Sequence, residues 1–263
     1  MQTVILCGGK GTRMKEETEF RPKPLVEIGG IPILWHIMQI YMYYGYNDFI
    51  LALGYKGNMI RDLFKEWYTN TNDFSIDMST GKTTVLSNRQ RNFKVTLVET
   101  GDTPDKEILT GERILRTAPY IKGDEFMLTY GDGVSDIDIK KVVDFHHKMG
   151  TLATVSGVHP KSRFGLVERD NKTGLVTQFS QYPVMREYIS GGFMVFKRKA
   201  LDYFTDGQME EGLGHLAEDK QLSMYIHEGF WKAVDTYKEL EQLNQLWYDG
   251  RPWAVWEKKD NQK

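Results

Sequence analysis

Residues Val4-Ile5-Leu6-Cys7 form a short, unbroken apolar run that ends in Gly8-Gly9-Lys10-Gly11-Thr12-Arg13. A run this short and continuous fits a strand buried on both faces. Glycines after it let the chain turn tightly and let backbone N–H groups approach an anion with no Cβ in the way. A dinucleotide fingerprint would need a third glycine where Met14 stands, and a Walker A loop would end in Gly-Lys-Ser/Thr, so neither motif applies. By itself the segment indicates an anion-binding turn at the end of a buried strand.

The rest of the chain supplies the partners of that strand. From Ile33 to Tyr44 the apolar residues Leu34, Ile37, Met38, Tyr41 and Met42 recur at helical spacing, and Gly45 is a stop signal. Phe49 to Leu53 reads as the next strand and Met59 to Tyr68 as the next helix. Val95–Glu99, Phe126–Tyr130 and Leu152–Val158 follow as strands, with a helix over Ile137–His147. Alternation of this kind predicts an α/β fold, Rossmann-like, with a mixed, mainly parallel sheet flanked by helices and a ligand site at the carboxyl ends of the strands.

Phe164–Arg169, Leu175–Phe179 and Gly192–Phe196 read as short strands separated by turns, so this half is expected to mix antiparallel strands into the sheet and to carry a small antiparallel appendage. The polar stretch Asp73 to Asn92 reads as short strands or a projecting loop, and Tyr237–Asp249 as a final helix. Residues 1–256 are expected to form a single domain, followed by a polar tail over 257–263 that frays.

A chain of 263 residues has room for a substantial core without disulfides or structural metal. The balance of 34 Lys+Arg against 36 Asp+Glu offers no general attraction to nucleic acid or to a membrane surface. The lone Cys7 reads as a packed thiol, and the first apolar run is too short for a signal peptide or a membrane span, so a cytoplasmic protein is expected. His36, His146, His147, His159, His215 and His227 show no metal-ligand spacing, and the surroundings of Trp35 and Trp231 read as core.

Chemistry concentrates elsewhere. Arg13 lies in the glycine turn, and Arg21-Pro22-Lys23-Pro24 adds two cations on a proline-stiffened stretch, all suited to phosphate oxygens. Asp132 follows the strand Phe126–Tyr130 directly, between Gly131 and Gly133, where a Mg²⁺-binding carboxylate would be useful. Mg²⁺ needs only one or two carboxylates when substrate phosphates and water complete its shell. Asp235, before the last helix, is a candidate for the second; standing alone it would read as a helix cap.

With these residues in view, the sequence resembles the sugar-nucleotide pyrophosphorylases, and among them the glucose-1-phosphate cytidylyltransferases, from Gln2 to about Trp256. The resemblance is carried by Gly8–Arg13, Arg21-Pro22-Lys23-Pro24, Val26–Gly30, Pro32–Met38, Gly54-Tyr55-Lys56-Gly57, Thr129–Asp136, Arg163-Phe164-Gly165, Gly229-Phe230-Trp231 and Asp235-Thr236. It implies transfer of CMP from CTP to a small phosphorylated acceptor, with Mg²⁺ as cofactor and with a homo-oligomeric assembly. Gly8, Gly9 and Gly11 would lie against the nucleotide, Thr12, Arg13 and Lys23 on the triphosphate, and Asp132 and Asp235 on the metal. Thr110 and Gly111 match the family's segment near the base, although Glu112 replaces a usual glycine.

The acceptor side departs from that pattern. The family carries a Glu-Lys-Pro motif whose lysine holds the acceptor phosphate, and here Gln181-Tyr182-Pro183 stands in its place. Ser190 replaces a usual asparagine. A neutral tyrosine forfeits a charge-assisted contact of about 1.5–3 kcal/mol, so the expectation is a sugar 1-phosphate or a different phosphate or phosphonate as acceptor, with glucose 1-phosphate a poor one. Arg186, Lys161 and Arg163 are the cations expected to compensate. Two alternatives stand beside this reading: a glucose-1-phosphate cytidylyltransferase proper that makes CDP-glucose, and a nucleotide-binding protein without turnover.

Overall fold

The computed structural model describes residues 1–86, 92–101 and 108–257, with the backbone alone for 68–70. Among the described residues eight strands build the central sheet: β1 (Gln2–Cys7), β2 (Asp48–Leu53), β3 (Lys94–Glu99), β4 (Glu125–Tyr130), β5 (Ala153–Val158), β6 (Ile189–Ser190), β7 (Met194–Lys197) and β8 (Leu222–His227). Their order is β6-β5-β7-β4-β1-β2-β3, with β8 on the far side of β5. The pairs β1·β2, β1·β4, β2·β3 and β5·β8 are parallel, while β7 runs against both β4 and β5, and β6 runs against β5. The expected mixed, mainly parallel sheet is present.

All six residues of β1 are buried, as its unbroken apolar run requires in a sheet covered on both faces. Strand alternation divides them. Ile5 and Cys7 join one core with Phe49, Leu51, Met127 and the helices α1 (Ile33–Tyr43), α2 (Gly57–Asn70), α4 (Ile139–Met149) and α6 (Tyr237–Tyr248). Val4 and Leu6 join the other with Ile50, Phe126, Leu128 and the helices α3 (Thr110–Thr117) and α5 (Met209–Glu218). Each side chain so buried contributes roughly 1.5–3 kcal/mol. Cys7 is the packed thiol expected, and burial pushes its pKa well up.

α2 begins two residues earlier than periodicity suggests, because Lys56 adopts φ 51° and Gly57 N–H bonds to Gly54 O at 2.8 Å, closing a turn that runs into the helix. Within the polar stretch, Phe74–Asp77 and Lys82–Val85 pair as a hairpin, while 87–91 lies outside the described residues. The antiparallel appendage is the hairpin Leu166–Arg169 with Val176–Ser180, exposed along nearly its whole length. The tail expected from 257 lies outside the described residues after Glu257. Among the described residues no helix is long and apolar enough to cross a membrane.

Candidate active site

β1 and β4 are parallel neighbours with Leu6 opposite Tyr130, so the glycine turn after β1 and the Gly131–Gly133 turn after β4 emerge side by side. Gly131 is required there: a Cβ would stand 2.7 Å from Leu6 O and 3.1 Å from Pro24 Cγ. In the first turn Gly9 and Gly11 have φ 124° and 59°, a region that disfavours other residues. Thr12 and Arg13 open a short 3₁₀ turn closed by Met14 N–H to Gly11 O at 2.9 Å, and both side chains face solvent.

A two-stranded ribbon delivers the second carboxylate. Gly133–Ser135 pairs antiparallel with Trp231–Ala233, and Val234 N–H donates to Asp132 O at 2.9 Å, so Asp235 arrives beside Asp132 despite their separation in sequence. Asp235 is then fixed from behind. Thr236 caps α6 in a reciprocal box with Glu239, and Glu239 Oε2 also accepts the Asp235 N–H at 2.8 Å.

Lys23, in the short turn Lys23–Leu25 between two prolines, joins the carboxylates. Its Nζ donates to Asp132 Oδ2 at 2.6 Å and to Asp235 Oδ1 at 2.8 Å. Arg13 Nη1 reaches Asp235 Oδ2 at 3.0 Å, and Arg163 Nη2 reaches the same oxygen at 3.2 Å. Burial works against the charged forms here, yet the pairing wins. Lys23 is held above its ordinary pKa by Asp132 and Asp235, and Asp235 below its own by Lys23, Arg13 and Arg163. Arg21, expected to join them, instead pairs with Glu17 and Glu27 at 3.4 and 2.8 Å, turned away from the carboxylates.

A cavity of about 190 Å³ opens at this point, bounded by Tyr130, Asp132, Ser190, Gly191, Trp231 and Asp235. Trp231 Nε1 donates to Gly191 O at 2.7 Å, tying two of the lining residues together. Of the four expected acceptor residues, Ser190 lines this cavity. Arg163 lies at its rim through Asp235, and Tyr182 and Arg186 occupy an exposed loop beyond. A larger hollow of about 480 Å³ lies between Glu17, Arg21, Glu27 and the face of α6, and includes neither Asp132 nor Asp235.

The segment expected near the base is part of α3. Thr110 Oγ1 accepts from Met209 N–H at 2.8 Å, and Gly111 N–H donates to Gly207 O at 2.9 Å. A Cβ at Gly111 would stand 2.6 Å from Thr205 O, so glycine lets α3 close on that loop. Glu112 accepts from Arg116 one turn on. Arg113 is buried under the glycine turn: its Nη1 donates to Thr100 Oγ1 at 2.7 Å and lies where a Cβ on Gly8 would be, at 2.1 Å.

The family model described as Nucleotidyl transferase matches residues 2–261. The chain belongs to that family. It is 44% identical over 261 residues to a protein of Bacillus subtilis described as a probable glucose-1-phosphate cytidylyltransferase, covering 97% of this chain and 100% of that one. It is 41% identical over 263 residues to the glucose-1-phosphate cytidylyltransferase of Salmonella typhimurium, covering 98% and 100%. Among solved structures, HddC from Yersinia pseudotuberculosis superposes with a TM-score of 0.66 at 22% identity over 94% of this chain and 99% of that one, a likeness of fold. This nucleotidyltransferase thus carries its two converging carboxylates at the carboxyl ends of the parallel strands, where the sequence pattern puts a ligand site.

Two lysines that the sequence pattern does not single out are Lys238 and Lys232. Lys238 Nζ lies 5.4 Å from the centroid of the Tyr182 ring, and Lys232 Nζ donates to Gln242 Oε1 at 2.5 Å. Neither sits in a glycine turn or at the end of a sheet strand, the signals that find Arg13 and Asp132.

Proposed function

We propose that this enzyme transfers CMP from CTP to a sugar 1-phosphate with release of pyrophosphate, using Mg²⁺. The observation that carries the reading is Lys23 Nζ lying between Asp132 Oδ2 and Asp235 Oδ1 beside the glycine turn. Two carboxylates facing one cation suit Mg²⁺, which takes few protein oxygens and completes its shell with phosphates and water. Asp132 and Asp235 would hold it. When bound, Mg²⁺ neutralises triphosphate oxygens and eases departure of pyrophosphate.

The residues then divide the work. Gly8, Gly9 and Gly11 let the turn's backbone close on the nucleotide, with Thr12 at its edge and Thr110 and Gly111 on the base side. Arg13 and Lys23, paired with Asp235 and Asp132 in the free enzyme, turn their charge to the triphosphate. An oxygen of the acceptor's phosphate forms a bond to the α-phosphorus while the bond from that phosphorus to the β-phosphate oxygen breaks, and pyrophosphate leaves. No protein nucleophile is needed, so alignment and charge neutralisation supply the rate.

CTP as donor and a sugar 1-phosphate as acceptor are supported by the names of the Bacillus and Salmonella relatives, which match along their whole length. The premise for a different acceptor was the missing charge at Tyr182, and a cation from α6 stands over that ring. A protein without turnover is the less favoured reading, since Arg13, Lys23, Asp132 and Asp235 converge on one point. The reading also makes the enzyme a cytoplasmic homo-oligomer and residues 1–256 its single domain. Mixing the protein with CTP, Mg²⁺ and glucose 1-phosphate and following pyrophosphate release tests it: turnover supports the assignment, and release with other nucleotides but not CTP refutes the base.

A further inference from the structure

The loop that carries Tyr182 is held in an unfavourable shape. Tyr182 has φ 54°, which costs energy for any residue with a side chain. The neighbouring backbone enforces it: Ser162 N–H donates to Pro183 O at 2.8 Å, Met185 N–H to Pro160 O at 2.9 Å, and Lys161 bridges Val184. The result presents the Tyr182 ring, half exposed, toward the first turn of α6.

Lys238, the second residue of α6, lies over that ring, with Nζ 5.4 Å from its centroid. A cation in the first turn of a helix opposes the helix dipole, so helix stability gives no reason for a lysine there. A strained tyrosine and a misplaced lysine meet in one contact. The charges nearby point the same way. Arg163 is engaged by Asp235 and Glu239, each at 3.2 Å, so it is committed to the carboxylate side of the rim. Burial lowers the pKa of Lys232, opposed by Glu239 and aided by the positive charges of Lys161 and Lys238, so three lysines act on one another along this stretch of rim. Asp235, which lines the cavity, is three residues before Lys238.

We propose that Lys238, steadied by the Tyr182 ring, receives the phosphate of the incoming acceptor, so that acceptor affinity in this enzyme depends on a lysine delivered from α6. Cation and ring act together: the ring limits where the flexible ammonium can go, and the ammonium supplies the charge that a tyrosine lacks. The inference rests on the cytidylyltransferase reading for the identity of the acceptor and on the contact itself for the residue.

The test compares the wild type with Lys238→Gln, Lys238→Arg and Tyr182→Leu. Lys238→Gln raises the KM for glucose 1-phosphate about tenfold or more, the loss expected of one charge-assisted contact, and leaves the KM for CTP within about twofold. Lys238→Arg recovers most of that loss, and Tyr182→Leu gives an intermediate loss of the same selectivity. An unchanged acceptor KM in Lys238→Gln, or equal losses for CTP and acceptor, overturns the proposal while leaving the cytidylyltransferase reading in place. Should the wild type fail to use sugar 1-phosphates, that reading falls first. Calorimetric titration of inorganic phosphate into the wild type and Lys238→Gln then decides the residue's role, with equal affinities counting against it and weaker binding by the variant counting for it.

Discussion

Replacing Lys23 by Met removes the ammonium between the two carboxylates and keeps the aliphatic stem. In the wild type that ammonium makes contacts of 2.6 and 2.8 Å, with its side chain 16% exposed. Charge-assisted hydrogen bonds contribute roughly 1.5–3 kcal/mol each when one partner is lost. Asp235 keeps Arg13 and Arg163 in the variant, which limits its share, so the full cost falls on Asp132. The expected loss is about 2–3 kcal/mol, or roughly 5–10 °C in Tm for a chain of this size. The variant also gains something. With the ammonium gone, a divalent cation meets no competitor between Asp132 and Asp235, and metal at ten times its Kd returns about 1.4 kcal/mol. The assay is thermal unfolding in chelator and then in increasing Mg²⁺, without nucleotide: the variant starts low and climbs, while the wild type barely responds. A variant as stable as wild type in chelator, or a wild type stabilised equally by Mg²⁺ alone, would refute the view that Lys23 holds the cation position in the free enzyme.

Three further outcomes follow from particular contacts. Gly8→Ala puts a Cβ 2.1 Å from Arg113 Nη1 and forces the guanidinium off Thr100, at a cost of about 1.5–3 kcal/mol; an unchanged urea midpoint would show that Arg113 has room to move. His36 is buried against Ile28 O at 3.0 Å and accepts from Trp253 Nε1 at 3.3 Å, with Trp247 and Trp256 as its other ring neighbours, and burial lowers its pKa from 6.5 to about 4. The unfolded chain therefore binds the proton first, so this contribution is complete above pH 6.5 and is lost as pH falls toward 4, by about 3 kcal/mol in all; His36→Gln should flatten that part of a Tm-against-pH curve, and a curve parallel to wild type argues against it. Arg13→Ala, which removes a side chain aimed at Asp235 beside the glycine turn, should raise the KM for CTP at least tenfold and leave the KM for the acceptor within about twofold; a defect seen in the acceptor alone would remove Arg13 from the triphosphate.

The readable parts of the fold were those whose signals are local. β1 is a buried apolar run, α1 carries its apolar face at helical spacing, and Gly131-Asp132-Gly133 directly follows a strand, so these emerge from the sequence alone. Pairing order is a different matter. That β7 inserts antiparallel between β4 and β5 depends on contacts that no strand pattern encodes. α5 was hidden by Gly212 and Gly214; the former is needed because a Cβ would stand 2.8 Å from Tyr203 O. β8 exposes Met224 and Ile226, so its alternation does not mark it as a covered strand.

The site divides along the same line. Asp132, Lys23 and Arg13 have neighbours in sequence that mark them, and Asp235 needed the family resemblance to rise above a helix cap. At the rim, Arg163 turns to Asp235 and Glu239, Arg186 stays exposed, and the cation over Tyr182 comes from α6. That contact joins positions 182 and 238, and nothing in either local sequence announces the other.

Product analysis reads out CMP transfer from CTP to a sugar 1-phosphate at the Asp132–Asp235 pair. The wild type, incubated with CTP, Mg²⁺ and glucose 1-phosphate, should form CDP-glucose and pyrophosphate in equal amounts, more slowly with UTP, GTP or dTTP. Asp132→Asn and Asp235→Asn should each reduce that rate at least a hundredfold while remaining folded. No CDP-sugar from the wild type across a panel of sugar 1-phosphates would rule out that transfer, and wild-type rates from either variant would remove the two carboxylates from it.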